Sequence, residues 1–334
     1  MTDQGYLVQP ELHTRAPYRA AVLTYPGNLR QALKDAQEDV NKTLFGVAQG
    51  MSSVFVTKVL ASTQPDFIWI DAEHCMFDRS SLYDAIHAAQ HHSEGKSMVI
   101  VRIPKHDETV LSTALDAGAA GIIIPHCDSA AEVTHLMNEI YYRKYSLLAN
   151  IKSDSNQILT SLPAPIGKRS FSPWTFTPGI SDQSLYKGDP FNMGTSNKHI
   201  VVIAQIESVE GAKNVEEIAA LEGVSAIMFG PGDFQADAGL EINMGGQLHP
   251  TLAAAMGAFA AAGQKYGKPL FGAAMSMDMV PMMIQQGYRA IAVAFDMWIL
   301  SNTVHGSIAK GRELAQAAGA TNGTAIPNGK EPSS

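Results

Sequence analysis

The chain has 334 residues, 46% of them hydrophobic and 17% charged, which is ample apolar material for a buried core. Its 24 Lys and Arg stand against 32 Asp and Glu, a net charge of −8 with no basic cluster, so nucleic acid and anionic membranes are excluded as expected partners. Two cysteines, Cys75 and Cys127, exclude a disulfide framework. With no apolar run near the roughly 18 residues of a membrane span, and no signal-peptide pattern at Met1–Gln4, the expected location is cytoplasmic.

Residues 1–43 read as a polar N-terminal extension with one helix near 29–42. From Leu44 short apolar runs alternate with segments of helical period. The runs 44–48, 67–70, 98–103, 121–124, 200–206, 226–229, 269–273 and 290–294 read as strands buried on both faces. Helices are predicted over 54–62, 80–91, 109–117, 130–141, 211–221, 250–266 and 277–286. The alternation predicts an α/β fold, a single (β/α)8 TIM barrel over 44–317. A doubly wound sheet would carry a glycine-rich first turn, and Gln49-Gly50-Met51-Ser52-Ser53 is not one. Residues 318–334 have the composition of a disordered tail. The stretch between Tyr142 and Ile200 breaks the rhythm and carries Pro163, Pro165, Pro173, Pro178 and Pro190.

The C-terminal ends of barrel strands supply active sites. Strand two ends in Asp71-Ala72-Glu73-His74, and strand three contains Arg102. Strand five ends in Gln205-Ile206-Glu207, and strand six is followed by Gly230-Pro231-Gly232-Asp233. Glu207 and Asp233 suit a hard divalent cation such as Mg²⁺, which would chelate a 2-oxo acid and polarise its carbonyl. Arg102 would stabilise the developing enolate, and His74 would move protons with Asp71 orienting its ring. The competing readings are a structural His74, a surface ion pair for Arg102 and a helix-capping Asp233. His87, His91 and His92 have helical spacing and read as a solvated face. Met275, Met277, Met279, Met282 and Met283 read as core packing. Neighbours on a strand point to opposite faces, so His74 and Cys75 are not a catalytic pair.

The segments FIWIDAEHCMFD, VIVRIPKHD, ALDAGAAGIIIPH, IAQIESVEGAKNVEEIAAL and IMFGPGDFQADAGL resemble the HpcH/HpaI aldolase family, and the likeness runs from Phe45 to Ala317. The resemblance implies a (β/α)8 barrel of metal-dependent lyases acting through pyruvate enolate, assembled as homohexamers that exchange the C-terminal helix. It implies Glu207 and Asp233 as ligands of Mg²⁺ (Mn²⁺ or Co²⁺ as alternatives) and Arg102 as the group binding the keto acid. It also implies His74 with Asp71 as the proton-transfer dyad, and Gln205 and Gly232 lining the pocket. AIHAAQHHSEG, GKRSFSPWTFTPGI and QGYRAIAV are similar to a member that decarboxylates oxaloacetate to a metal-bound enolate and couples it to a 2-pyrone. That likeness implies Phe171, Pro173 and Trp174 as walls of a second-substrate pocket, with Trp69 nearby. Where that member has tyrosine, this chain has Phe191 in Asp189-Pro190-Phe191-Asn192, which weighs against pyrone chemistry more than against decarboxylation. The alternatives are a reversible aldolase releasing pyruvate and an aldehyde, and a lapsed barrel serving as a binding or assembly protein.

Relative to the family, residues 143–163 are an insertion. Arg143-Lys144-Tyr145 can be encoded with the donor pattern GTAAGTA, Ile158-Leu159-Thr160 with a CTGAC branch site, and Pro163-Ala164 with a CAG acceptor. Excision keeps the reading frame, so the segment reads as a translated, unspliced intron. The alternative is an ordinary surface loop.

Overall fold

The computed structural model describes residues 27–143, 167–172, 193–243 and 248–322. Eight parallel strands, β1 (Leu44–Gln49), β2 (Phe67–Asp71), β3 (Met98–Arg102), β4 (Gly121–Ile124), β5 (Val201–Ile206), β6 (Ala226–Phe229), β7 (Leu270–Ala273) and β8 (Tyr288–Phe295), pair in sequence order. β8 returns to β1 and closes the barrel. The strands are rich in Ile, Val and Phe because both faces are covered. Inward side chains such as Phe67, Trp69, Ile100, Ile203, Met228 and Phe271 fill the interior, while Ile68, Ile70, Val99, Val101, Ile122 and Val202 pack beneath the outer helices.

The helices are α1 (Leu29–Glu38), α2 (Val54–Ser62), α3 (Arg79–His92), α4 (Glu108–Asp116), α5 (Ala130–Ile140), α6 (Met193–His199), α7 (Val209–Lys213), α8 (Val215–Ala220), α9 (Pro231–Asp237), α10 (Pro250–Lys265), α11 (Val280–Gln286) and α12 (Asp296–Asn322). Their starts follow local chemistry: Asp78 and Ser81 form a reciprocal capping box on α3, and Asp107 caps α4 through two backbone N–H groups.

α1 occupies the helix expected near 29–42 and ties that part of the N-terminal extension to the barrel. Its Leu29 and Leu33 join the interior cluster and close the N-terminal end of the barrel, with Leu29 seated against Gly121. The C-terminal helix differs from expectation, continuing to Asn322 where a disordered tail was predicted from residue 318. Every side chain from Met297 to Gly319 is exposed. Asp296 tethers the helix start by accepting the N–H groups of Gly50 and Met51, both at 2.9 Å. Among the described residues no helix is long and apolar enough to cross a membrane.

Apart from Arg143, the inserted segment 143–163 lies outside the described residues. Its flanks meet. Lys168 N–H donates to the Asn138 carbonyl at 2.6 Å and Arg169 N–H to that of Tyr141 at 3.1 Å. Gly167 has φ +74°, and a side chain there would overlap the Tyr142 carbonyl, so only glycine closes this approach without strain.

Candidate active site

Asp71 and Arg102 stand opposite each other in the β2–β3 register, at the C-terminal ends of their strands. That register makes a two-pronged bond: Arg102 Nε donates to Asp71 Oδ1 at 2.9 Å and Nη2 to Oδ2 at 2.6 Å. The guanidinium lies over the Trp69 ring, 5.5 Å from its centroid. Burial alone would raise the Asp71 carboxyl, but the Arg102 bond and charge hold it below the usual carboxylate value.

The expected Asp71–His74 dyad is arranged differently. Asp71 accepts the backbone N–H groups of Glu73 and His74 and leaves the His74 ring to Glu73, whose Oε2 is 3.6 Å from Nε2. Glu73 also approaches Arg102 Nε at 3.3 Å, and its Oε2 has no hydrogen-bond partner. Burial pushes the Glu73 carboxyl up, against the pull of Arg102 and His74. The only mark the sequence puts on Glu73 is its place in the run Asp71–His74. Cys75 lies within 3.7 Å of Asp71, and burial with that charge pushes its thiol up to about 11, so it stays protonated and inert.

Glu207, at the end of β5, is 1% exposed. Its Oε2 accepts from Gln205 Nε2, and its Oε1 accepts the His126 backbone N–H at 2.8 Å. His126 adopts φ +46°, a left-handed turn that a bulky residue enters at a cost, and this turn aims its N–H at the carboxylate. The His126 ring stands 3.7 Å from the same oxygen. Sequence reasoning missed this residue, because nothing before the fold marks a histidine after Pro125 as left-handed. Burial first, then the nearby Asp233 charge, pushes the Glu207 carboxyl up to about 8.

Asp233 sits in the first turn of α9, where no side chain caps the helix. Gly230 is needed just before it, because a Cβ there would overlap the Glu207 carboxylate and lie 2.8 Å from Glu207 Cβ. Arg102, Gln205, Gly232 and Asp233 line one cleft of about 320 Å3.

Of the residues expected around a second substrate, Trp69 is buried beneath Arg102, with its Nε1 unpartnered. Phe171 is exposed and does not line that cleft. Pro173, Trp174 and Phe191 lie outside the described residues. Among the described residues no three His, Cys, Asp or Glu side chains converge as a metal cluster. The carboxylates of Glu207 and Asp233 nonetheless fit a cation that takes the rest of its shell from substrate and water. Glu207 is pushed up by burial and by the neighbouring Asp233 charge, which a cation between them would relieve, and the unpartnered Gln205 Oε1 lies beside it.

The chain is similar to known proteins over most of its length. The crystal structure of macrophomate synthase is similar at 58% identity and a TM-score of 0.80, covering 93% of this chain and 98% of that one. The hydroxypyruvate/pyruvate aldolase of Paraburkholderia phytofirmans is 29% identical, over 84% of this chain and 96% of that protein. The 5-keto-4-deoxy-D-glucarate aldolase of Klebsiella pneumoniae is 26% identical, over 73% and 81%. The family model for HpcH/HpaI aldolase/citrate lyase matches residues 49–303. The chain belongs to that family and is a carbon–carbon lyase.

Proposed function

We propose that the enzyme takes oxaloacetate, or a related 2-oxo acid, to the enolate of pyruvate with a divalent cation in the site. The observation that carries this reading is one cleft that joins the clamped Arg102 guanidinium to Asp233, with the buried Glu207 charge felt from Asp233. Glu207 and Asp233 would hold the cation, and their hard oxygens favour Mg²⁺, with Mn²⁺ or Co²⁺ as substitutes. When bound it supplies Lewis-acid polarisation of the keto oxygen.

Arg102 does the complementary work. As the C3–C4 bond breaks and carbon dioxide leaves, its fixed positive charge meets the charge growing on the substrate oxygen. Asp71 sets the plane of the guanidinium and Trp69 supports its face. His74, exposed after the end of β2 with Glu73 beside it, would deliver a proton to C3. The aldolase names of the two bacterial relatives favour a second reading, in which the same enolate arises by reversible cleavage of a 4-hydroxy-2-oxo acid.

The assembly reading rests on α12. Its Trp298, Ile299, Leu300, Val304, Ile308 and Leu314 are exposed, an apolar load that a solvated helix does not carry. The helix therefore packs on a second copy of the chain, in a homo-oligomer that the family resemblance sets at six. Leu300→Asp with Ile308→Asp should shift the mass measured by light scattering to that of a smaller species.

The functional test is pyruvate release from oxaloacetate above the metal-only background, with Mg²⁺, with EDTA and with Glu207→Gln. Metal-dependent turnover that disappears in Glu207→Gln is the expected result. Silence in both the full chain and a chain lacking residues 143–163 would overturn decarboxylation and leave the aldolase reading.

A further inference from the structure

The run Met275–Met283 holds five methionines, and the fold corrects their reading as core packing. Met283 is buried, but Met275, Met277 and Met282 are 42%, 63% and 47% exposed. Four of the five, Met275, Met279, Met282 and Met283, line the same cleft as Arg102, Gln205 and Asp233. Met228 from β6 and Met256 from α10 join them. The cleft therefore has a charged half over β3, β5 and β6, and an apolar arm that passes the end of β7 between α10 and α11. Arg102 and Asp233, its only charged lining groups among the described residues, both lie in the first half.

A sugar-derived aldehyde carries a hydroxyl on nearly every carbon. Most of these hydroxyls would have to give up water here for thioethers, alkyl groups and rings, which is unfavourable. Beyond Gln205, the only uncharged polar side chains lining the cleft among the described residues are Asn243, Gln286 and Tyr288. Methionine is instead suited to planar apolar bodies, because it is unbranched, polarisable and favours contact between sulfur and ring edges. The volume lies at the small end of ligand cavities, which run from roughly 300 to 1,000 Å3.

We infer that the methionine arm seats the second substrate, and that this substrate is an apolar, aromatic carbonyl compound rather than a hydroxylated aldehyde. The inference rests on the enolate reading above. With pyruvate as donor, C3 loses a proton and its electron pair forms a bond to the acceptor's carbonyl carbon. The carbonyl π pair moves onto oxygen, which takes up a proton, and the product is a 4-hydroxy-2-oxo acid. The arm's continuity with the charged half presents the acceptor's reacting end to that carbon.

The test separates the two halves. Exchange of the pyruvate methyl protons in D2O, with Mg²⁺, reports enolate formation alone. Addition to benzaldehyde or to glyceraldehyde reports the arm. Benzaldehyde should exceed glyceraldehyde in kcat/KM by about tenfold or more. Met275→Gln and Met282→Gln should each lower the ratio of benzaldehyde addition to exchange by about tenfold. Met277→Gln, outside the cleft, should leave that ratio unmoved. In the unaltered protein benzyl alcohol, which lacks the electrophile, should compete with benzaldehyde. Absence of exchange would sink the enolate reading itself. Exchange with a preference for glyceraldehyde, or with a ratio indifferent to Met275 and Met282, would overturn the inference. So would variants that change only the oligomeric state, because the arm would then be a contact between copies.

Discussion

The two halves of the cleft are built by opposite means. In the charged half Arg102, and behind it Asp71 and Glu207, are each held by at least two hydrogen bonds. In the apolar arm Met275 and Met282 stand half in solvent on a short helix and the turn before it. A template for developing charge must be over-determined, since a misplaced donor loses its value in the transition state. A seat for an apolar body gains from side chains that can re-pack. Precision and tolerance are thus divided between neighbouring strands of one barrel.

The sharpest way to break this division is Arg102→Lys, which keeps the charge and removes the two-pronged bond to Asp71. It should lower kcat/KM for oxaloacetate by roughly 10²–10³. Near-normal turnover would mean that the clamp is not what fixes the charged half. Gly230→Ala comes next. Its Cβ would displace the Glu207 carboxylate, so calorimetry should show metal affinity weaker by about 10–100-fold.

The third effect is a pH dependence. Below about 8 the metal-free Glu207 holds a proton, so cation binding must release it, and affinity should rise with pH until it levels off above about 8. Calorimetry in buffers of different ionisation enthalpy would show the proton, and Glu207→Gln should abolish the slope. The sign for stability follows from the raised value: the metal-free fold is favoured near the usual carboxylate value of 4.5 and loses stability as pH rises towards about 8. The smallest effect is expected from deleting residues 143–163. The flanks already meet at Gly167, so the change in unfolding free energy should stay below about 1 kcal/mol in a denaturant melt.

Much of the barrel was legible because parallel strands covered on both faces read as apolar runs. The strands Gly121–Ile124 and Ala226–Phe229 and the helix Val54–Ser62 match residue for residue. What stayed hidden depends on register and on exposure. Asp71 meets Arg102, rather than the ring of His74, because β2 and β3 align them, and no local pattern reports that pairing. The helix predicted over 211–221 divides at Asn214 into α7 and α8, whose Asn214 side chain donates to the Asp128 carbonyl. The methionines look like core in composition, and only the path of the chain after β7 brings them to the rim.

The floor laid by Leu29 and Leu33 sets the traffic of the enzyme. Among the described residues, a barrel stopped at its N-terminal end leaves the C-terminal end as the way in, where Arg102, Asp233 and the methionines line one cleft. An acceptor seated in the arm narrows the exit for whatever lies beneath it. With the second substrate seated as inferred above, the expected kinetic pattern is ordered addition, donor first and acceptor second.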